Sequence, residues 1–216
     1  MKTTLTLALL LVPLVGFPAQ NRFGRTGQGM SGRGPQNCPN QAECPLNLAA
    51  ITSPTTLPAA EIVAAFEAER VAHDLYTAAV EKWGSRVFTH IAAAELNHAA
   101  VLARLAAASA IALPAASRGA YSTNEHQRLY DQLLAVINGS ETGALRAGAL
   151  VEETDIADLR RLMGMATDPG TRAVLSNLER ASVNHLSAFV HNLQMRGITY
   201  EPRVLTAEEY LALSWR

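Results

Sequence analysis

The sequence predicts an all-α fold: a four-helix bundle with one long crossover containing a short helix, preceded by a disordered N-terminal tail. Three observations lead there. Ala and Leu dominate the 216 residues and aromatics make up only 6%, a composition that favours helix. Four long segments repeat apolar residues in steps of three and four. Two pairs of these segments are joined by tight turns, whereas residues 111–139 separate the pairs, so each pair is antiparallel and one connection crosses the bundle. No alternating strand pattern competes.

Residues 1–19 read as a secretory signal peptide: Lys2 precedes the apolar run 5–15 and the small Ala19 follows, although Phe17 is large where cleavage prefers a small residue. The run is shorter than the ~20 apolar residues of a relaxed membrane span. An exported protein in the periplasm, the cell envelope or the medium is therefore expected rather than an integral membrane protein, with an uncleaved anchor as the alternative. Residues 20–57 follow as a flexible tail in which Arg22, Arg25 and Arg33 lie among glycines, too polar to order itself by burial. The tail holds both cysteines, Cys38 and Cys44. An oxidising compartment favours a disulfide between them, with two free thiols or half of a metal site as alternatives. Cys38 is too far from the apolar run to carry a lipid anchor. A net charge of −1 gives no nucleic-acid footprint.

The bundle domain is expected over residues 58–214. Thr55 or Thr56 can cap helix A, Pro58 suits its first turn and Glu61 complements its dipole. Helix A then runs to Trp83, where Gly84 stops it. Ser85 can cap helix B, which runs to about Ala110. Pro114 and Gly119 mark a loop, and a shorter helix fits Thr123 to Ile137. Ser140 can cap helix C, which extends to about Thr167. Asp168-Pro169 is a cap followed by a first-turn proline, so helix D begins there and ends near Gly197. Thr206 with Glu209 forms a capping box for a last short helix.

One stripe on each long helix is apolar except near its middle. Helix A gives Ile62, Phe66, Glu69, His73, Tyr76, Val80 and Trp83. Helix B gives Phe88, Ile91, Glu95, His98, Leu102 and Leu105. Helix C gives Leu145, Ala149, Glu152, Ile156, Leu159 and Met163, and helix D gives Leu175, Leu178, Ser182, His185, Phe189 and Asn192. A buried, unpaired carboxylate costs several kcal/mol, so polar groups at matched depth on four stripes imply that something compensates them. Glu95 and His98 are E-x-x-H, one face of one helix. Together with Glu69, Glu152 and His185 they form a carboxylate–imidazole set suited to iron, manganese or zinc. A buried Glu–His network without metal is the competing arrangement. Tyr76 and Trp83 read as core packing, with an electron relay as the alternative.

The words Ala68 to Tyr76, Phe88 to His98, Val151 to Leu159 and Asn177 to Phe189, with Gly197 to Pro202 at the end, resemble the domain of unknown function 2202 family, a ferritin-like group. The resemblance covers about residues 58–210. It implies a ferritin-like bundle and a metal centre, iron or manganese at one or two ions per chain, and leaves the reaction unassigned. Two departures stand out. Where the family usually has E-E-K-L-A-R-D-V-Y, this chain has Ala68 and His73 for the first Glu and the Arg. Where the wider ferritin pattern has a fourth-helix Glu, this chain has Ser182, a neutral oxygen where a hard cation wants charge. His73, Asp155, Glu153 and Glu179 are candidates to compensate, Asp155 and His73 foremost; each reads first as a supporting or surface group and second as a ligand. The expected function is metal binding with oxidation of iron or turnover of oxygen or peroxide, in a protein that could form a homo-oligomer. The alternative is a metal-free helical interaction or structural module.

Overall fold

A computed structural model describes residues 51, 53–115 and 117–213. Among the described residues there are six helices and no strand: α1 (Ala59–Trp83), α2 (Arg86–Ala108), α3 (Asn124–Gly139), α4 (Glu141–Met165), α5 (Pro169–Gln194) and α6 (Ala207–Leu211). The signal-peptide segment, most of the tail and the Cys38–Cys44 pair lie outside the described residues.

The punctuation of the chain follows local chemistry. Gly84 ends α1 at φ 63°, a left-handed conformation that glycine adopts without a Cβ penalty. Ser140 and Asp168 cap α4 and α5, accepting from the backbone N–H of Gly143 and Thr171. Thr206 and Glu209 close the capping box of α6. Two expected caps do not form. Ser85 makes no side-chain cap bond. The N-cap of α1 is Pro58, also without one. Thr55 and Thr56 have other partners: the Thr55 backbone N–H donates to Ser109 Oγ, and Thr56 donates from both its N–H and its hydroxyl to Asp168 Oδ2. Leu57 is buried among the core of α1, α2, α4 and α5. The bundle therefore begins before residue 58, and the last residues assigned to the tail are docked.

α1 packs on α2, and α4 on α5; α1 also touches α4, and α2 touches α5, while α3 lies across α1 and α4. α2 is long and apolar enough to cross a membrane by length and composition. Its apolar face is spent inside the protein, where Phe88, Ile91, Leu102 and Leu105 are buried. The apolar core falls into two clusters. One holds Leu75, Tyr76, Phe88, Leu145, Ala149 and Phe189. The other holds Ile62, Phe66, Leu102, Leu105, Leu159, Leu175 and Leu178. Along α1, α2 and α5, the polar residues of the stripes stand between the two clusters.

α1 is buried on a second face as well, because the crossover is tied to it. Glu67 accepts from the backbone N–H and hydroxyl of Ser122, Arg70 donates to the Ser117 carbonyl, and Asp74 accepts from Gly119 N–H and Tyr121 OH. On α4 the fully buried Glu153 collects the Tyr200 hydroxyl and the backbone N–H groups of Arg203, Val204 and Leu205. That carboxylate holds the segment after α5 against the bundle.

Candidate metal centre

The four long helices bring all five expected residues together. Glu95 is the centre of the group. Its Oε2 lies 2.8 Å from His98 Nδ1, one turn along the same helix, and its Oε1 lies 2.7 Å from His185 Nδ1 on α5. One carboxylate thus presents one oxygen to each of two imidazoles. Glu69 on α1 joins the His98 side, with Oε2 3.3 Å from Nδ1. Glu152 on α4 joins the His185 side, with Oε2 3.4 Å from Nδ1. The two rings stack with centroids 5.5 Å apart. Glu69, Glu95, His98 and Glu152 are 2, 1, 4 and 1% exposed, so bulk solvent scarcely reaches them. The His185 side chain, at 13%, is the ring nearest to solvent.

The donor set fits a metal ion on two counts. Atoms bound to a common ion at ~2.0–2.2 Å stand about 3 Å from one another, and the oxygen–nitrogen separations here run from 2.7 to 3.4 Å. Glu95, His98 and His185 each offer an atom within 4.8 Å of the others. Second, Glu95 Oε1 and His185 Nδ1 are buried and 2.7 Å apart, yet neither has a hydrogen-bond partner, and Glu69 Oε1 has none either. Buried polar atoms are ordinarily paired. Here the two atoms stand at hydrogen-bond distance but off the hydrogen-bond direction.

The electrostatics describe a cluster loaded with protons. Burial alone would raise the Glu95 carboxyl, but the His98 and His185 imidazoles outweigh it and hold it well below the usual range. Burial would lower both histidines. Glu95 and Glu69 instead raise His98 well above its ordinary value, and Glu95 and Glu152 raise His185 to about 9. Burial, followed by the charge of Glu95, pushes Glu152 up to about 8. Burial also pushes Glu69 well up, with Asp155 as its strongest charged neighbour.

The residues that sequence left open now separate. His73 turns to α2, its Nδ1 2.8 Å from the Ala92 carbonyl oxygen, and adds no atom to the group. Glu179 pairs with Arg160 near the surface, and Glu153 is taken up by the segment after α5. Ser182 is fully buried and donates its hydroxyl to Asp155 Oδ2 at 2.6 Å. Trp83 donates to the Ile137 carbonyl at the end of α3, a structural contact. Tyr76 is more than core packing: its hydroxyl donates to Glu152 Oε1 at 2.6 Å and leaves Oε2 toward His185. Its position two turns after Glu69 on the same face was the available signal.

A family model described as an uncharacterized protein domain, DUF2202, matches residues 59–213. The chain belongs to this family. Among curated proteins, the DUF2202 chain is similar to the uncharacterized protein MJ0754 of Methanocaldococcus jannaschii, at 34% identity over 146 residues, 67% of this chain and 79% of that one. Among solved structures, the crystal structure of hypothetical protein MJ0754 from Methanococcus jannaschii DSM 2661 superposes with a TM-score of 0.70 at 30% identity, covering 73% of this chain and 96% of that one. The DUF2202 match spans all four helices that carry the cluster.

Proposed function

We propose that this protein is a ferritin-like metal-binding protein, exported from the cytoplasm, that takes iron or manganese between its four long helices and oxidises iron or turns over oxygen or peroxide. The observation that carries this reading is Glu95: a buried carboxylate with one oxygen 2.8 Å from His98 Nδ1 and the other 2.7 Å from His185 Nδ1. Such a carboxylate serves two cations at once. The ferritin-like part is supported by the contact order of the helices and by the single long connection, with α3, between α2 and α4. Export is supported by the apolar run after Lys2.

In this role Glu69 and His98 would hold metal on one side and Glu152 and His185 on the other, with Glu95 offering one oxygen to each side. Iron or manganese bound there would supply the electron-transfer chemistry with oxygen or peroxide. The chain's own part is to orient and protect. Tyr76 fixes the rotation of Glu152 by donating to Oε1. The apolar clusters on either side exclude water, which strengthens every charge interaction within. His98, His185 and Glu152 would give up their protons on binding metal.

A metal-free interaction module is the second reading, favoured by the ordinary hydrogen bond between His98 Nδ1 and Glu95 Oε2. Metal analysis of the chain purified without a chelating tag separates the two, followed by mixing its ferrous form with oxygen or peroxide. Bound iron or manganese that is lost in Glu95→Ala, with oxidation of the ferrous form, is the expected result. A chain that takes up neither metal overturns the metal reading.

A further inference from the structure

We infer that Asp155 on α4 supplies the carboxylate that Ser182 on α5 does not, so that the centre is built from four carboxylates rather than three. This rests on the proposed metal centre and deepens it. Asp155 lies one turn after Glu152, so both face the interior from α4. Ser182 lies one turn before His185 on α5. The hydroxyl of the fully buried Ser182 donates to Asp155 Oδ2 at 2.6 Å. The carboxylate of Asp155 therefore reaches to where the side chain of residue 182 enters the core, and a longer acidic side chain at 182 would meet it there. Ser182 is the small partner that leaves the space and fixes one oxygen.

Two further observations converge. Glu69 Oε1 is buried without a partner, so the cluster keeps an acceptor that the protein itself does not satisfy. The rival replacements are engaged elsewhere, Glu153 with the segment after α5, Glu179 with Arg160 and His73 with the Ala92 carbonyl. Charge completes the argument. Glu69, Glu95 and Glu152 leave two divalent ions one charge short of neutrality, and burying a net charge is costly. Asp155 supplies the fourth negative charge.

The test uses the full chain and Mn²⁺ as the probe, with stoichiometry by elemental analysis and spin coupling between neighbouring ions by electron paramagnetic resonance. The unmodified chain is expected to bind two Mn²⁺ with a coupled signal. Asp155→Asn is expected to keep one and lose the coupling. Ser182→Ala should weaken the second ion on the order of 10- to 100-fold, as loss of a group that orients a ligand does, and Ser182→Thr should restore it. Two tightly held, coupled ions in Asp155→Asn would overturn the role of Asp155 while leaving the metal centre standing, provided Glu95→Ala holds none. No Mn²⁺ in the unmodified chain would overturn both. Circular dichroism of each apoprotein reports folding. Should Asp155→Asn fail to fold, the exchange Asp155→Ser with Ser182→Glu carries the test: two ions support the relocated carboxylate and one ion overturns it.

Discussion

At the scale of single residues, Glu95 sets the terms for everything near it. Its carboxylate stabilises both imidazolium rings and in turn owes its ionised state to them. Glu95→Ala is expected to abolish tight metal binding and to lower the stability of the apoprotein by about 1–3 kcal/mol, the cost of stranding buried polar partners; metal content measured beside a thermal melt reads both. Tyr76→Phe removes one hydroxyl, which holds Glu152 by a 2.6 Å bond. It should weaken metal binding on the order of 10- to 100-fold in a direct titration while leaving the helical spectrum unchanged. The ligand candidates were legible in sequence because a charged residue at the midpoint of an apolar stripe is an anomaly wherever it occurs. His73 and Asp155 were harder to rank. The three-and-four pattern fixes the rotation of a helix only to within about a residue, so His73, one turn after Glu69, looked as much a core group as Asp155, one turn after Glu152. The deciding contacts, Ala92 O for the first and Ser182 Oγ for the second, join residues distant in sequence.

At the scale of helices, the boundaries expected from Gly84, Ser140 and Asp168 match those observed, because each signal acts within its own turn. Thr55, Thr56 and Ser85 are different: their hydroxyls are suitable caps, but the Thr55 hydroxyl accepts from the Leu57 N–H and the Thr56 hydroxyl is engaged with Asp168 and Thr167. The second buried face of α1 was not legible at all. Glu67, Arg70 and Asp74 lie off the inward stripe of α1, and the crossover groups that bind them are distant in sequence. Helix-to-helix distance is set by small residues that a stripe analysis passes over. A Cβ at Gly148 would lie 2.7–2.9 Å from the Phe189 ring, which is itself packed against Tyr76 and Phe88 with centroids 5.3 Å away. The ring has nowhere to retreat. Gly148→Ala is expected to destabilise by about 1–3 kcal/mol, as overpacked cores do, and a denaturant midpoint would show it.

At the scale of the whole molecule, the cluster makes stability depend on pH with a definite sign. Glu152 rises from 4.5 to about 8, Asp155 from 3.8 to about 7 and His185 from 6.5 to about 9. Burial is the leading cause for both acids, and for His185 it is outweighed by Glu95 and Glu152. In each case the folded chain binds the proton more tightly than the unfolded one. The contribution of these three groups is therefore greatest below their unfolded values and falls as pH climbs toward the folded ones. The melting temperature of the apoprotein should decrease from about pH 5 to pH 9. A bound divalent ion takes the place of those protons, so the metal-loaded protein should lose this decline, and metal affinity should itself rise with pH over the same window. A flat apoprotein profile across that range would contradict the proton-loaded cluster.

Glu152 and Glu153 are neighbours on α4, and successive helical residues point about 100° apart. One carboxylate looks into the bundle and the other grips residues 200–205. A helix turns as a rigid rod, so neither grip can be adjusted alone: loosening the outer one frees α4 to roll and carries Glu152 out of line with His185. The C-terminal stretch thereby acts as a keel for a centre to which it donates no atom. Glu153→Gln should weaken Mn²⁺ binding although position 153 never touches the ion, and the same variant should become cleavable by protease between residues 198 and 206. Cleavage without any change in metal affinity would show that α4 holds its angle unaided.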